Sequence, residues 1–170
     1  MSAPVNEGNI IVGSGALKIG LGVAPNTSLG GTEDGVEFTM SKEFHDVEAA
    51  EAPVTLRKEL TSLTGTISVG LLESTLDNLL LMWPGVEDPA GTVTIGTDGE
   101  TAHDNQLEFV GKAPNGETRT VTFTKVIDIG DGGHRYTKGA NTVIACEFEV
   151  LASWNSSDSR WDFGTIVDAA

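Results

Sequence analysis

The chain holds one cysteine in 170 residues, so no internal disulfide can form. That residue, Cys146, falls in the alternating apolar set Ile144, Cys146, Phe148 and Val150, where a thiol serves as a small buried hydrophobe and not as a nucleophile. Basic residues are also scarce. Ten Lys and Arg stand against 25 Asp and Glu, a net charge of -15, which sets the chain against nucleic acid, because that binding relies on Lys and Arg neutralising phosphates. No apolar run is long enough to span a bilayer, and Met1-Ser-Ala-Pro-Val-Asn-Glu offers no basic region followed by an apolar core. These features predict a chain made and kept in a cytoplasm, without membrane contact. The Asn155-Ser-Ser sequon means little without a secretion signal.

Catalytic patterns are missing too. His45, His103 and His134 are the only imidazoles, and none has the short His-x-x-x-His spacing of a metal site. Surface or loop positions are the ordinary reading for all three. Asp98-Gly-Glu100 and Asp128-Ile-Gly-Asp131-Gly-Gly resemble calcium loops only superficially, since neither fits the EF-hand pattern, and plain turn chemistry explains them. Gly13-Ser-Gly15 lacks the setting and the Lys of a phosphate-binding loop, and no Gly-x-Ser-x-Gly elbow occurs. An enzyme is the weak hypothesis, and no cofactor or metal is expected.

What is present is a β pattern. The length suits one domain spanning 1–170, and 21 glycines with abundant Thr and Val favour turn-rich strands. Val36, Phe38, Met40 and Phe44 alternate with Glu37, Thr39, Ser41 and Glu43, the period-two signature of a half-buried strand. After an acidic, alanine-rich connection over 48–53, Val54, Leu56 and Leu60 alternate with Thr55, Arg57 and Glu59. A separate strand sets Leu63, Ile67, Val69 and Leu71 against Thr64, Thr66 and Ser68. The period then changes. Leu76, Leu79, Leu80 and Trp83 fall at helical spacing, with Ser74 and Asp77 as a capping-box variant and Pro84-Gly85 closing the segment.

Elsewhere, residues 9–12 and 16–20 read as short strands, forming either a hairpin or an N-terminal arm over 1–20 laid on a neighbour. A short strand over 92–95 lies between polar connections, and another contains Leu107 and Phe109. In the strand over 118–127, Thr118, Thr120, Thr122 and Thr124 make a hydroxyl face opposite Val121 and Phe123. The strand over 143–151 carries Glu147 and Glu149 opposite its apolar residues, and 155–170 reads as a turn followed by a C-terminal strand or arm. The expected architecture is mainly β: an antiparallel β-sandwich or partly open barrel covered at one edge or face by a single helix.

Three stretches carry a family resemblance: Gly35-Val-Glu-Phe-Thr, the acidic hairpin Phe44-His-Asp-Val-Glu-Ala-Ala-Glu-Ala-Pro-Val, and Thr66-Ile-Ser-Val-Gly-Leu-Leu-Glu-Ser-Thr-Leu-Asp-Asn-Leu. In these the chain resembles the tail tube (major tail) proteins of long-tailed, siphovirus-like bacteriophages. The likeness covers the first half by wording and the second only by its strand-rich pattern. It implies hexameric rings with a continuous β-barrel lumen, stacked into a hollow conduit for genome delivery. The implied location is the virion tail, after synthesis in the host bacterial cytoplasm. Implied partners are other copies of the chain, tail terminator and distal tail proteins, and, inside the lumen without specific binding, the tape measure protein and DNA.

A DNA conduit calls for a wall that does not grip phosphates. Candidates for that wall are Glu37, Thr39, Thr64, Thr66, Ser68, Thr120, Thr122, Glu147 and Glu149, which on an antiparallel sheet would otherwise simply face solvent. The resemblance assigns the 44–57 hairpin to contacts between rings, through Phe44, Asp46, Val47, Glu48, Glu51, Val54 and Arg57. Two other classes stay open: a monomeric cytoplasmic β-sandwich that binds through loops 84–105 and 128–141, and an enzyme using the His/Asp pairs. The tube of a contractile injection or secretion machine is a further variant of the first reading.

Overall fold

A computed structural model describes residues 15–21, 24–49, 52–83, 85–96, 105–114, 116–131, 133–134, 136, 138–139 and 141–169. The expected strand over 9–12, Glu51 and His103 lie outside the described residues. Among the described residues the fold is mainly β, with one short helix and an open, largely antiparallel sheet.

The dominant element is a hairpin of β3 (Thr32–Ala49, 18 residues) and β4 (Ala52–Leu71, 20 residues). Here the structure corrects the sequence reading, which divided 54–71 into two strands. Leu60 and Leu63 are three apart, which breaks a strict alternation, but the register slips there: Glu43 faces Ser62 while Phe44 faces Leu60. A bulge absorbs the extra residue and the strand continues.

From the hairpin the sheet runs through β9 (Ile144–Val150), β8 (Thr118–Asp128), β7 (Asn105–Lys112), β1 (Ala16–Leu21) and β2 (Thr27–Ser28), and β12 (Gly164–Asp168) joins β8 as an eighth strand. Two residues, Thr124 and Lys125, stand between the inward Phe123 and Val126, whose partners Leu107 and Asn105 are only two apart. That second irregularity accompanies a fold of the sheet over itself. Phe38 of β3 meets Phe109 of β7 and Phe123 of β8 at ring centroid distances of 5.3 and 5.5 Å. Between the two halves lie Leu17, Ile19, Ile67, Val69, Leu71, Leu107, Val126, Ile144, Cys146, Phe148 and Val150, all buried.

Helix α1 (Leu76–Met82) begins one residue later than the sequence suggested. Thr75 is the cap, its hydroxyl accepting from the Asn78 amide at 3.2 Å, while Ser74 instead reaches His134 Nε2 at 3.0 Å. Leu79, Leu81 and Trp83 pack against the core, whereas Leu76 stays exposed. Buried Asn78 ties the helix down by donating to the carbonyls of Leu29 and Glu73. After the helix, β5 (Gly85–Glu87) pairs with β6 (Val93–Ile95).

The C-terminal stretch, expected as a strand or an arm, is a strand tied to the body. A small hairpin of β10 (Ser153–Asn155) and β11 (Arg160–Asp162) sets Trp154 edge-to-face against Trp161 with ring centroids 5.4 Å apart, and β12 then pairs with β8 from Gly164 to Asp168. Arg119 clamps its end with two hydrogen bonds to Asp168.

Candidate assembly surfaces

Directly paired residues of an antiparallel sheet share a face. Across β3, β4 and β9 this rule gives one row of Glu37, Ser68 and Glu147, a second of Thr39, Thr66 and Glu149, and the start of a third in Ser41 and Thr64. Seven of the nine residues read from the sequence as wall candidates therefore meet on one outward face. All are exposed or half-exposed, while their neighbours Ile67, Val69, Cys146 and Phe148 are buried behind them. No Lys or Arg occupies a position in these rows.

Thr120 and Thr122 are not part of that face. They lie on the outward side of the opposite half of the sandwich, where Thr122 pairs with Thr165 and Glu108, and Thr120 with Val167 and Val110. Glu108 there holds Lys18 in an ion pair of 3.1 Å, so the hydroxyl face of β8 sits in a differently charged setting. Alternation along a strand is visible in sequence; which way a folded sheet turns that strand is not.

The acidic face ends in a hollow lined by Asp34, Glu37, Ser68, Asp131 and Glu147. At its rim Asp128 is half-buried, and the loss of solvent pushes its carboxyl above the usual range despite hydrogen bonds from the amides of Gly130 and Glu147. The bond from Gly130 measures 3.0 Å and makes a local turn, in line with turn chemistry for this segment. Behind the face, burial drives the Cys146 thiol up to about 12, so it stays protonated and inert. Among the described residues no group of three or more His, Cys, Asp or Glu is placed to hold a metal ion.

The second surface is the outer part of the hairpin. β9 covers β4 only from Gly65 to Leu71, so the residues from 52 to about 63 and their β3 partners project as a two-stranded arm. Phe44 pairs with Leu60, Asp46 with Lys58, Val47 with Arg57 and Glu48 with Thr55. Lys58 binds Asp46 at 2.7 Å, and Arg57 contacts Glu59. Exposed pairs of this sort contribute only about 0.2–1 kcal/mol each. Phe44, Val54, Leu56 and Leu60 are 51 to 60% exposed, apolar side chains left bare beside the Asp46–Lys58 ion pair on the arm.

No protein-family model matches the chain, and no curated protein matches it. Among solved structures it is similar to a chain of the virion of a native gene transfer agent particle, at 14% identity and a TM-score of 0.48, covering 98% of this chain and 100% of that one. It is also similar to a chain in the tail of an empty gene transfer agent particle with C6 symmetry, at 14% identity and a TM-score of 0.49 with the same coverage. A chain of the six-fold symmetrised anti-feeding prophage baseplate matches at 13% identity and a TM-score of 0.47, over 98% of this chain and 97% of that one.

Proposed function

We propose that this protein is the structural subunit of a bacteriophage tail tube, building hexameric rings that stack into a hollow conduit for genome delivery. The observation that carries the reading is the β3–β4–β9 face: carboxylates of Glu37, Glu147 and Glu149 spaced among hydroxyls, with no basic residue in the rows. Such a surface repels phosphate weakly and evenly, and offers DNA nothing to hold. The wall is assigned to Glu37, Thr39, Thr64, Thr66, Ser68, Glu147 and Glu149, and Thr120 and Thr122 are left outside it.

The projecting arm supplies the second requirement. Rings need a lateral contact that closes, and a tube needs a further contact that leaves the axis open. An arm with bare Phe44, Val54 and Leu60 is suited to the axial role. Negative-stain imaging of the concentrated protein tests the reading: rings or tubes are expected, and a protein that stays monomeric at all concentrations would overturn it in favour of a monomeric binding module.

A further inference from the structure

The ladder between β3 and β4 is broken at its root. Thr32 pairs with Leu71 and Val36 with Val69, so Glu33, Asp34 and Gly35 stand against Gly70 alone. A Cβ added to Gly70 would lie 3.8 Å from that of Glu33 and within 4 Å of no other residue of β3. Asp34 and Gly35 are therefore the excess residues, looped out of the pairing as a bulge.

Gly35 takes a φ of +87°, a conformation that a side chain would resist, and a Cβ there would meet nothing within 4 Å. Asp34 is exposed, and among the described residues no hydrogen bond or ion pair holds its carboxyl. Both residues line the hollow at the end of the acidic face. An untethered carboxyl thus stands next to an unshielded main-chain nitrogen, in a stretch without a partner in the ladder.

We propose that Asp34-Gly35 is a self-modification site, at which Asp34 rearranges to isoaspartate through a succinimide. The Gly35 nitrogen attacks Cγ of the protonated Asp34 carboxyl and a C–N bond forms, while the carboxyl hydroxyl leaves with the amide proton as water. A second water then opens the five-membered ring at the former main-chain carbonyl. The chain now runs through Cβ and Cγ of residue 34, and the old carbonyl carbon becomes a free carboxylate. One water leaves and one enters, so mass and charge are unchanged while the main chain gains one carbon. Glycine favours the attack because no Cβ hinders its nitrogen. The added carbon falls where β3 already carries excess chain, so the flanking pairs, Thr32 with Leu71 and Val36 with Val69, are kept. The inference concerns a single subunit and does not depend on the tube.

The test incubates the full chain, kept folded as followed by circular dichroism, beside a synthetic peptide of residues 30–39, both at neutral pH and physiological temperature for several weeks. Isoaspartate at position 34 is read by electron-transfer fragmentation of the digest. A step locked in a ladder must wait for local opening and reacts far more slowly than a free one. Here the folded chain is expected to convert at a rate within ten-fold of the peptide's. A rate more than ten-fold slower, or no isoaspartate at 34, overturns the proposal. Asp34→Glu keeps the charge but would need a six-membered ring for the same attack, so no rearrangement is expected at 34 in that variant. Conversion there at the parent's rate would defeat the succinimide route.

Discussion

Asp128 shows how one side chain can oppose the fold that holds it. Its carboxyl is shifted upward by burial, so the native state binds its proton more tightly than the unfolded chain does. Stability from this group is full at or below the ordinary carboxylate range and is lost as pH rises through the raised native value. Asp128→Asn, which keeps a carbonyl for the Gly130 amide, should unfold at a higher denaturant midpoint than the parent at pH 7, with the difference disappearing near pH 4. The helix offers a paired comparison. Leu79→Ala should cost about 2–5 kcal/mol by denaturant unfolding because Leu79 packs on the core, whereas Leu76→Ala, at an exposed position, should cost under about 0.5 kcal/mol. The sequence placed both leucines on one buried face; only the true cap at Thr75 and the anchoring of Asn78 separate them.

Among the elements, strands β3, β7, β8 and β9 were legible because their alternation follows from half-burial. The continuity of β4 was not, since a bulge and a chain break look the same in a pattern of side chains. Of the tryptophan hairpin the turn after Trp154 was legible but the pairing was not: with Ser153, Trp154 and Asn155 against Arg160, Trp161 and Asp162, each strand is three residues long, too short to show a period. The arm was legible as a hairpin but not in its extent. A two-stranded ribbon gains little stability alone, so replacing residues 44–60 with a short turn should leave the denaturant midpoint of the subunit nearly unchanged. Sedimentation of that variant should show no polymer. Normal tubes from it would remove the arm from the axial contact.

At the scale of the whole molecule, the acidic excess becomes directional once the sheet gathers three glutamates on one outward face. Of the candidate wall, the rows on β3, β4 and β9 were readable from alternation, while the separation of Thr120 and Thr122 from them depended on a sheet folding over its own core, a long-range event that no local pattern records. Glu147→Lys with Glu149→Lys should permit assembly yet slow DNA ejection, and the defect should shrink as salt screens the new attraction. Equal ejection by variant and parent particles across a salt series would count against the lumen assignment. The arm has one more consequence, for the fate of subunits that have not yet joined a neighbour. Its only Lys and Arg residues from 42 to 60, namely Lys42, Arg57 and Lys58, sit on an unbacked ribbon, so trypsin should nick the lone subunit there. If the chain polymerises as proposed, assembly would hide the cleavage points, making survival under digestion a clock for polymerisation and a means by which proteases clear orphaned copies while leaving assembled ones intact.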